Sequence, residues 1–81
     1  MAYLPKIEVS GMTDPVIQVV DEYLQEVVYT IRIKGTSWRP KVFREATYTI
    51  RVGEGDRVRV FRGVESGPKE DSRVLKVRFD S

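Results

Sequence analysis

Serine is the side chain through which this sequence could perform nucleophilic chemistry. The chain contains no histidine and no cysteine, which excludes a histidine base and a cysteine nucleophile. A serine–lysine pair with Lys34, Lys41 or Lys69 is conceivable, but no spacing in the sequence supports one. The serines are Ser10, Ser37, Ser66, Ser72 and Ser81. The sequence therefore predicts a domain that is not an enzyme.

Closely spaced carboxylates are the second group that could do chemistry. Glu54 lies near Asp56, and Glu70 is adjacent to Asp71. Their polar, glycine-containing surroundings are typical of turns and loops rather than of an acid–base pair. No run of acids has the spacing of a calcium loop, and thiolate or imidazole metal sites are excluded by composition. We therefore expect no metal, no cofactor and no small-molecule substrate.

Basic residues that alternate with apolar ones form the most specific pattern in the chain. Acidic residues fall mostly elsewhere, in the first segment, in turns and between Gly63 and Ser72. The basic residues predicted to point outward are Arg32, Lys34, Arg39, Lys41, Arg51, Arg57, Arg59, Lys76 and Arg78. From these and two nearby aromatic residues we predict a candidate partner-binding face consisting of Arg32, Lys34, Arg39, Lys41, Arg51, Arg59, Phe43 and Phe61.

Three interpretations of this basic face are open from the sequence. Arginine stems often cover sheet surface while the charged group stays in water. The same charges could hold a protein partner or anionic lipid head groups. Arginine could also bind phosphates while Phe43 and Phe61 stack on bases, as in single-stranded nucleic-acid platforms.

Length and charge indicate one small domain without a strong electrostatic bias. The chain has 81 residues, with 14 basic and 12 acidic side chains and a net charge of +2. This balance is too even for an obligate nucleic-acid arm, so any positive patch must come from placement. High charge without asparagine is also typical of hyperthermophile proteins. No apolar run is long enough to cross a bilayer.

Alternation of apolar and polar residues predicts an all-β fold. The clearest strand is 27–34, in which Tyr29 and Ile31 point inward. Gly35-Thr36 is expected to close a tight hairpin to a returning strand over 37–43. Further inward rows are expected as follows: Trp38 and Val42; Tyr48, Ile50 and Val52; Val58 and Val60; Leu75, Val77 and Phe79.

The first 26 residues are less regular. Residues 1–15 are expected to be a flexible arm or a short edge strand, and 16–81 the folded domain. Residues 16–26 fit a strand because they begin with valine and isoleucine, but Asp14-Pro15 is also a suitable helix start. Five or six short strands in so small a domain favour closure, which removes wet edges. We therefore predict a five-stranded OB-fold-like barrel.

The central stretch resembles the C-terminal soluble domain of the NfeD family. The resemblance rests on the run IRIKGTSWRPKV, then IRVGEGDRVRVF and a final VLKVRF, within residues 28–79. The matching positions are Gly35, Trp38, Arg39, Pro40, Ile50, Gly55, Val58, Val60, Leu75 and Val77. The family carries a five-stranded OB-fold barrel after transmembrane helices.

The resemblance implies a non-catalytic interaction domain of a membrane-anchored protein. Its partner would be a stomatin/prohibitin-like protein in membrane-protein quality control, with membrane attachment through segments outside this chain. The alternative is an OB-fold module, cytoplasmic in that case, that binds nucleic acid through the arginine and phenylalanine face.

Overall fold

The computed structural model describes residues 1–79, which form nine β-strands and no helix. The predicted all-β class is therefore confirmed, and the strand interpretation of the segment after Pro15 is correct. Within this part of the chain, no helix could span a membrane. The strands are β1 (Ala2–Tyr3), β2 (Lys6–Ser10), β3 (Val16–Asp21), β4 (Glu26–Arg32), β5 (Ser37–Trp38), β6 (Lys41–Val42), β7 (Thr47–Glu54), β8 (Arg57–Glu65) and β9 (Val74–Arg78).

The strands pair into three sheets. A four-stranded antiparallel sheet has the order β4-β3-β7-β8. A three-stranded sheet has the order β5-β2-β9, in which β2 is antiparallel to β5 and parallel to β9. Strands β1 and β6 form a separate antiparallel pair.

The core lies between the four-stranded sheet and the smaller sheets. Strand β3 buries every second residue, with Ile17 and Val19 fully inaccessible, and β7 does the same with Ile50 and Val52. This period of two is what places one face of a strand against the core. The other buried apolar side chains are Ala2, Leu4, Ile7, Val9, Ile33, Val42, Tyr48, Val77 and Phe79.

Strand β8 faces the opposite way from the prediction. Register pairs Arg59 with Val52 and Phe61 with Ile50, so Arg59 and Phe61 are on the core side. Val60 is 37% exposed, and the expected inward valines of β8 are on the outer face. The reason is the two-residue turn between β7 and β8, which fixes the register and therefore the face of every following residue.

The predicted hairpin at Gly35-Thr36 is wrong. Strand β5 pairs with β2, with Ile7 opposite Trp38, and does not return along β4. Trp38 is partly buried against the core, and its ring meets that of Tyr29 edge-on at 6.1 Å between centroids. A distant strand therefore replaces the local one because it can bury Trp38 beside the core.

The first fifteen residues, expected to be an arm or a short edge strand, provide β1 and the middle strand of a sheet. Leu4 and Ile7 are fully buried, and β2 pairs on both sides. The amide of Leu4 donates to the carbonyl of Pro40 at 3.0 Å. This segment is therefore part of the core rather than an appendage.

Side chains join the sheets at two of their edges, next to β4 and next to β8. Next to β4, the Tyr29 hydroxyl donates to the carbonyl of Lys41 at 2.8 Å. Next to β8, Arg57 and Arg59 donate to the carbonyls of Phe79 and Arg78. Among residues 1–79, the paired strands do not close into a barrel.

The segment after β8 is anchored to the rest of the domain. Arg39 donates to the carbonyls of Lys69, at 2.7 Å, and Asp71. Gly67 exchanges two backbone hydrogen bonds with Tyr3, at 2.7 and 2.9 Å. This segment is therefore held to the rest of the domain at several points.

Candidate interaction surface at the β3–β4 hairpin tip

Exposed large apolar side chains concentrate at one end of the domain. Of the eight such residues in the described part of the chain, five lie at the β3–β4 turn or beside it. We call them the hairpin-tip patch: Tyr23, Leu24, Val27, Val28 and Phe43. Tyr23 and Phe43 are each 84% exposed. Grouped exposed apolar side chains on a soluble domain are typical of interaction sites, whereas scattered ones are not.

Asp21 builds the turn that presents this patch. Its side chain is the one buried polar or charged residue in the described core, at 4% exposure. The Oδ1 atom accepts the backbone N–H groups of Tyr23 and Leu24, both at 3.0 Å. An aspartate that bonds the amides two and three residues later fixes a tight turn. Gln25 completes it with a φ of 55°, in the left-handed region.

Arg44 links the turn to the segment that carries Phe43. Its Nη2 lies 2.5 Å from Asp21 Oδ2, and its guanidinium lies 5.9 Å from the centroid of the Tyr23 ring. The Tyr48 hydroxyl donates to the carbonyl of Arg44 at 2.5 Å, which holds the backbone beside Phe43. The exposed patch is therefore supported by Asp21, Arg44 and Tyr48, whose side chains all have hydrogen-bond partners.

A second contact holds the same segment against β4. The Tyr29 hydroxyl bonds to the carbonyl of Lys41, and burial raises the pKa of Tyr29 to about 12. The hydroxyl therefore stays protonated and can donate over the whole physiological pH range. Lys41 and Phe43 are consequently fixed beside the exposed edge of the four-stranded sheet.

Glu22 ties the base of the turn to two other strands. Its Oε2 accepts the Thr49 hydroxyl and the amide of Gly63, both at 2.7 Å. These hydrogen bonds, first that from Gly63, hold the pKa of Glu22 below its ordinary value. The pKa of Asp21 is also lowered, first by the backbone N–H of Leu24 and then by Arg44, against the opposing effect of burial. Both carboxylates are therefore charged at neutral pH.

The structure distributes the predicted partner-binding face over several surfaces. Lys41 lies beside β4, where its carbonyl accepts the Tyr29 hydroxyl, and Phe43 belongs to the hairpin-tip patch. Arg51 is on the outer face of the four-stranded sheet, opposite Gln18. The remaining predicted residues are placed as follows: Arg32 bonds to Asp14 and Glu54, Lys34 is exposed after β4, Arg39 anchors the segment after β8, and Arg59 and Phe61 lie on the core side of β8. The partner-binding role of these residues stays a prediction.

Phe61 and Arg51, both members of the predicted partner-binding face, lie on opposite faces of the four-stranded sheet. Phe61 packs against the core on the inner face of β8, while Arg51 projects from the outer face of β7. Arg59 covers the Phe79 ring at 4.9 Å from its centroid.

Sequence reasoning missed Tyr23, Leu24, Val27 and Val28 as surface residues. Residues 16–26 were considered only as a strand or a helix, and their apolar members were not treated as a site. The signal was present, because a tyrosine and a leucine inside a turn cannot both be buried by a two-strand hairpin. What could not be read was the position of Phe43 beside them, which depends on contacts 23 residues apart between Arg44 and Asp21.

A second surface feature is an open cleft. It has a volume of about 550 Å³ and lies on the outer face of the three-stranded sheet. Glu8, Ser10, Ser37 and Lys76 line it, and none of them has a histidine or cysteine beside it. Within residues 1–79, no group of three or more acidic, histidine or cysteine side chains could hold a metal ion.

Comparison with known protein families, with curated proteins and with solved structures finds no match to this chain. The resemblance to the NfeD family stays a prediction from the motifs in the sequence.

Proposed function

We propose that this domain is a non-catalytic interaction module that binds a protein partner through the hairpin-tip patch. The observation that carries the proposal is the rigid frame beneath an exposed apolar surface. Asp21 and Arg44 hold Tyr23 in place, and Tyr48 holds the carbonyl of Arg44 next to Phe43. Both the Tyr23 and the Phe43 ring are nevertheless left in water.

The patch has the composition of an interface centre. Aromatic side chains dominate binding energy at protein interfaces, where truncating a central one typically costs ~2 kcal/mol or more. A side chain that is already ordered loses less entropy on binding, about 0.5–1.5 kcal/mol less for each one. The hydrogen bonds of Asp21 to the turn therefore favour association as well as folding.

The more specific form of the proposal is an NfeD-type domain that binds a stomatin/prohibitin-like protein in membrane-protein quality control. Its support is the motif run from residue 28 to residue 79. In this form the sheets correspond to an OB-like barrel whose edges are joined by side chains. Tyr29 on one side and Arg59 on the other support that description.

The test is binding of the purified domain to the soluble region of a stomatin-like protein, measured by calorimetry. We expect Tyr23→Ser and Phe43→Ser each to weaken binding at least about tenfold, which corresponds to ~1.4 kcal/mol. Val60→Ser is the matched control, because Val60 is an exposed apolar residue on the outer face of β8. Equal affinity for all three variants would remove the patch as the binding surface.

The alternative, nucleic-acid binding, is tested with a labelled single-stranded oligonucleotide. Nucleic-acid binding would be tight at low salt and would weaken steeply as salt is added. Strong oligonucleotide binding that Phe43→Ser leaves unchanged would contradict the proposed protein-interaction role. If the domain bound neither the stomatin-like protein nor the oligonucleotide, the NfeD-type form of the proposal would be wrong.

A further inference from the structure

Strands β8 and β9 run side by side in opposite directions. Arg57 Nη2 donates to the carbonyl of Phe79 at 3.0 Å, and Arg59 Nε donates to that of Arg78 at 3.1 Å. At the other end, Arg73 Nη2 donates to the carbonyl of Glu65 at 2.7 Å. Low numbers on β8 therefore meet high numbers on β9, which is the order of two antiparallel strands. We call this boundary the β8–β9 seam.

The β8–β9 seam differs from a normal strand pair in its hydrogen bonds. Paired strands lie ~4.8 Å apart and exchange backbone hydrogen bonds. No such ladder joins β8 to β9 among residues 1–79, where β8 pairs only with β7 and β9 only with β2. The two edges are connected by arginine side chains instead. Two strand edges whose backbone groups are paired with no further strand are what an added strand requires.

The seam has a surplus of positive charge. Strand β8 carries Arg57, Arg59 and Arg62 against a single acid, Glu65. Arg57 and Arg59 donate to neutral carbonyls, and their guanidinium groups also lie over the Phe79 ring, at 5.4 and 4.9 Å from its centroid. No carboxylate in the described part of the chain forms a salt bridge with either arginine. A carboxylate would be a stronger acceptor for these donors than a carbonyl.

We propose that the β8–β9 seam binds an extended acidic segment of a protein partner, which adds a strand between β8 and β9. The backbone of the segment pairs with the two edges, and its carboxylates take over the donors of Arg57 and Arg59. The site is separate from the hairpin-tip patch and does not depend on it. A second copy of this chain is a poorer occupant, since its own β8 and β9 strands both carry more bases than acids.

The probe is a fluorescent peptide of alternating glutamate and valine, with binding followed by anisotropy. We expect saturable binding that weakens with salt, and at least about tenfold weaker binding of a lysine–valine peptide of equal length. The critical control is the same acidic peptide with N-methyl groups on alternate residues, which removes backbone donors and keeps the charge. Its affinity should also fall at least about tenfold, because strand addition depends on backbone pairing.

Protein variants locate the site. Arg57→Gln with Arg59→Gln should weaken peptide binding at least about tenfold, whereas Arg51→Gln, an exposed arginine on the outer face of β7, should leave it unchanged. Amide exchange should slow at 60–64 and 74–77 in the complex. Thermal unfolding of each variant checks that the fold is kept.

Three outcomes would overturn the proposal. One is no binding of the acidic peptide to the unaltered domain, which would mean that the arginines only protect two strand edges from aggregation. Another is equal binding of the N-methylated peptide, which would show attraction by charge alone. The last is a single-stranded oligonucleotide that displaces the peptide and protects the same amides. None of these results bears on the hairpin-tip patch, whose test uses Tyr23 and Phe43.

Discussion

Arginine stands at the centre of both the hairpin-tip patch and the β8–β9 seam, but it has different acceptors in the two places. Arg44 is paired with the buried carboxylate of Asp21, whereas Arg57 and Arg59 bond to backbone carbonyls near the surface. A charge that is already paired with a buried partner holds a structure together. A charge that meets only neutral acceptors keeps much of its capacity for a new anionic partner.

The first prediction tests whether the β7–β8 turn fixes the seam. A Cβ atom added at Gly53 would lie 2.0 Å from the carbonyl oxygen of Arg57, at a φ of +105° that disfavours side chains. Gly53→Ala should therefore lower the free energy of unfolding by about 3 kcal/mol or more, because backbone must move. Gly55→Ala is the matched control, since nothing lies within 4 Å of its added Cβ.

Equilibrium denaturation in urea measures both glycine variants. We expect Gly55→Ala to cost only about 1 kcal/mol, the penalty for a left-handed residue with free space around it. If the two variants were equally stable, the turn would not determine the position of Arg57, and the description of the seam would need revision.

The second prediction separates the two uses of arginine. Asp21→Ala removes two hydrogen bonds to the turn and leaves Arg44 without its carboxylate. We expect a fall in Tm of roughly 10 °C, measured by circular dichroism. Arg59→Gln should lower Tm by less than about 5 °C, because it removes a bond to a neutral carbonyl at the surface.

Asp56→Ala is the control for the loss of a carboxylate, because this residue lies in the exposed β7–β8 turn. Its Tm should stay close to that of the unaltered domain. A larger fall in Tm for Arg59→Gln than for Asp21→Ala would contradict this comparison. It would mean that the arginines of the seam contribute more to stability than Asp21 does.

The smallest expected effect is on the thermal stability of the domain at acidic pH. The pKa values of Asp21, Glu22 and Asp71 are all lowered by folding, Asp71 first through its hydrogen bond from Arg73. A lowered pKa adds stability above the ordinary values of 3.8 for aspartate and 4.5 for glutamate. That stability is lost as the pH falls through the folded values.

Tm should therefore be steady near neutral pH and should decrease below about pH 4.5. The decrease should be shallower in Asp21→Asn and in Glu22→Gln, and unaltered in Asp56→Asn. A Tm that rose on acidification would contradict the assignment of these carboxylates as charged hydrogen-bond acceptors.

Much of the fold can be predicted from local pattern, because β3 and β7 alternate apolar and polar residues against the core. The same reasoning failed for β8. In Val58-Arg59-Val60-Phe61, alternation alone does not decide whether the valines or Arg59 and Phe61 face the core. There the two-residue turn decides the face, and a long arginine stem can cover an aromatic ring in place of an aliphatic residue.

The candidate sites were harder to predict because they depend on distant contacts. Phe43 joins Tyr23 only through Arg44 and Asp21, and Arg59 meets β9 across 19 residues. Phe43 was selected from the sequence for its neighbouring charges, and the structure leaves its ring 84% exposed. Spacing along a strand predicts its two faces and contains no information about which loops lie beside it.

The parallel pairing of β2 with β9 has a consequence for synthesis. Ile7 lies beside Leu75, and Val9 beside Val77, so β2 must wait for a partner strand that is translated much later. Until then β2 has only the two-residue strand β5 to pair with, and its apolar row is open to other chains. Contacts this remote in sequence slow folding, and we expect nascent chains that stop before Val74 to need a chaperone.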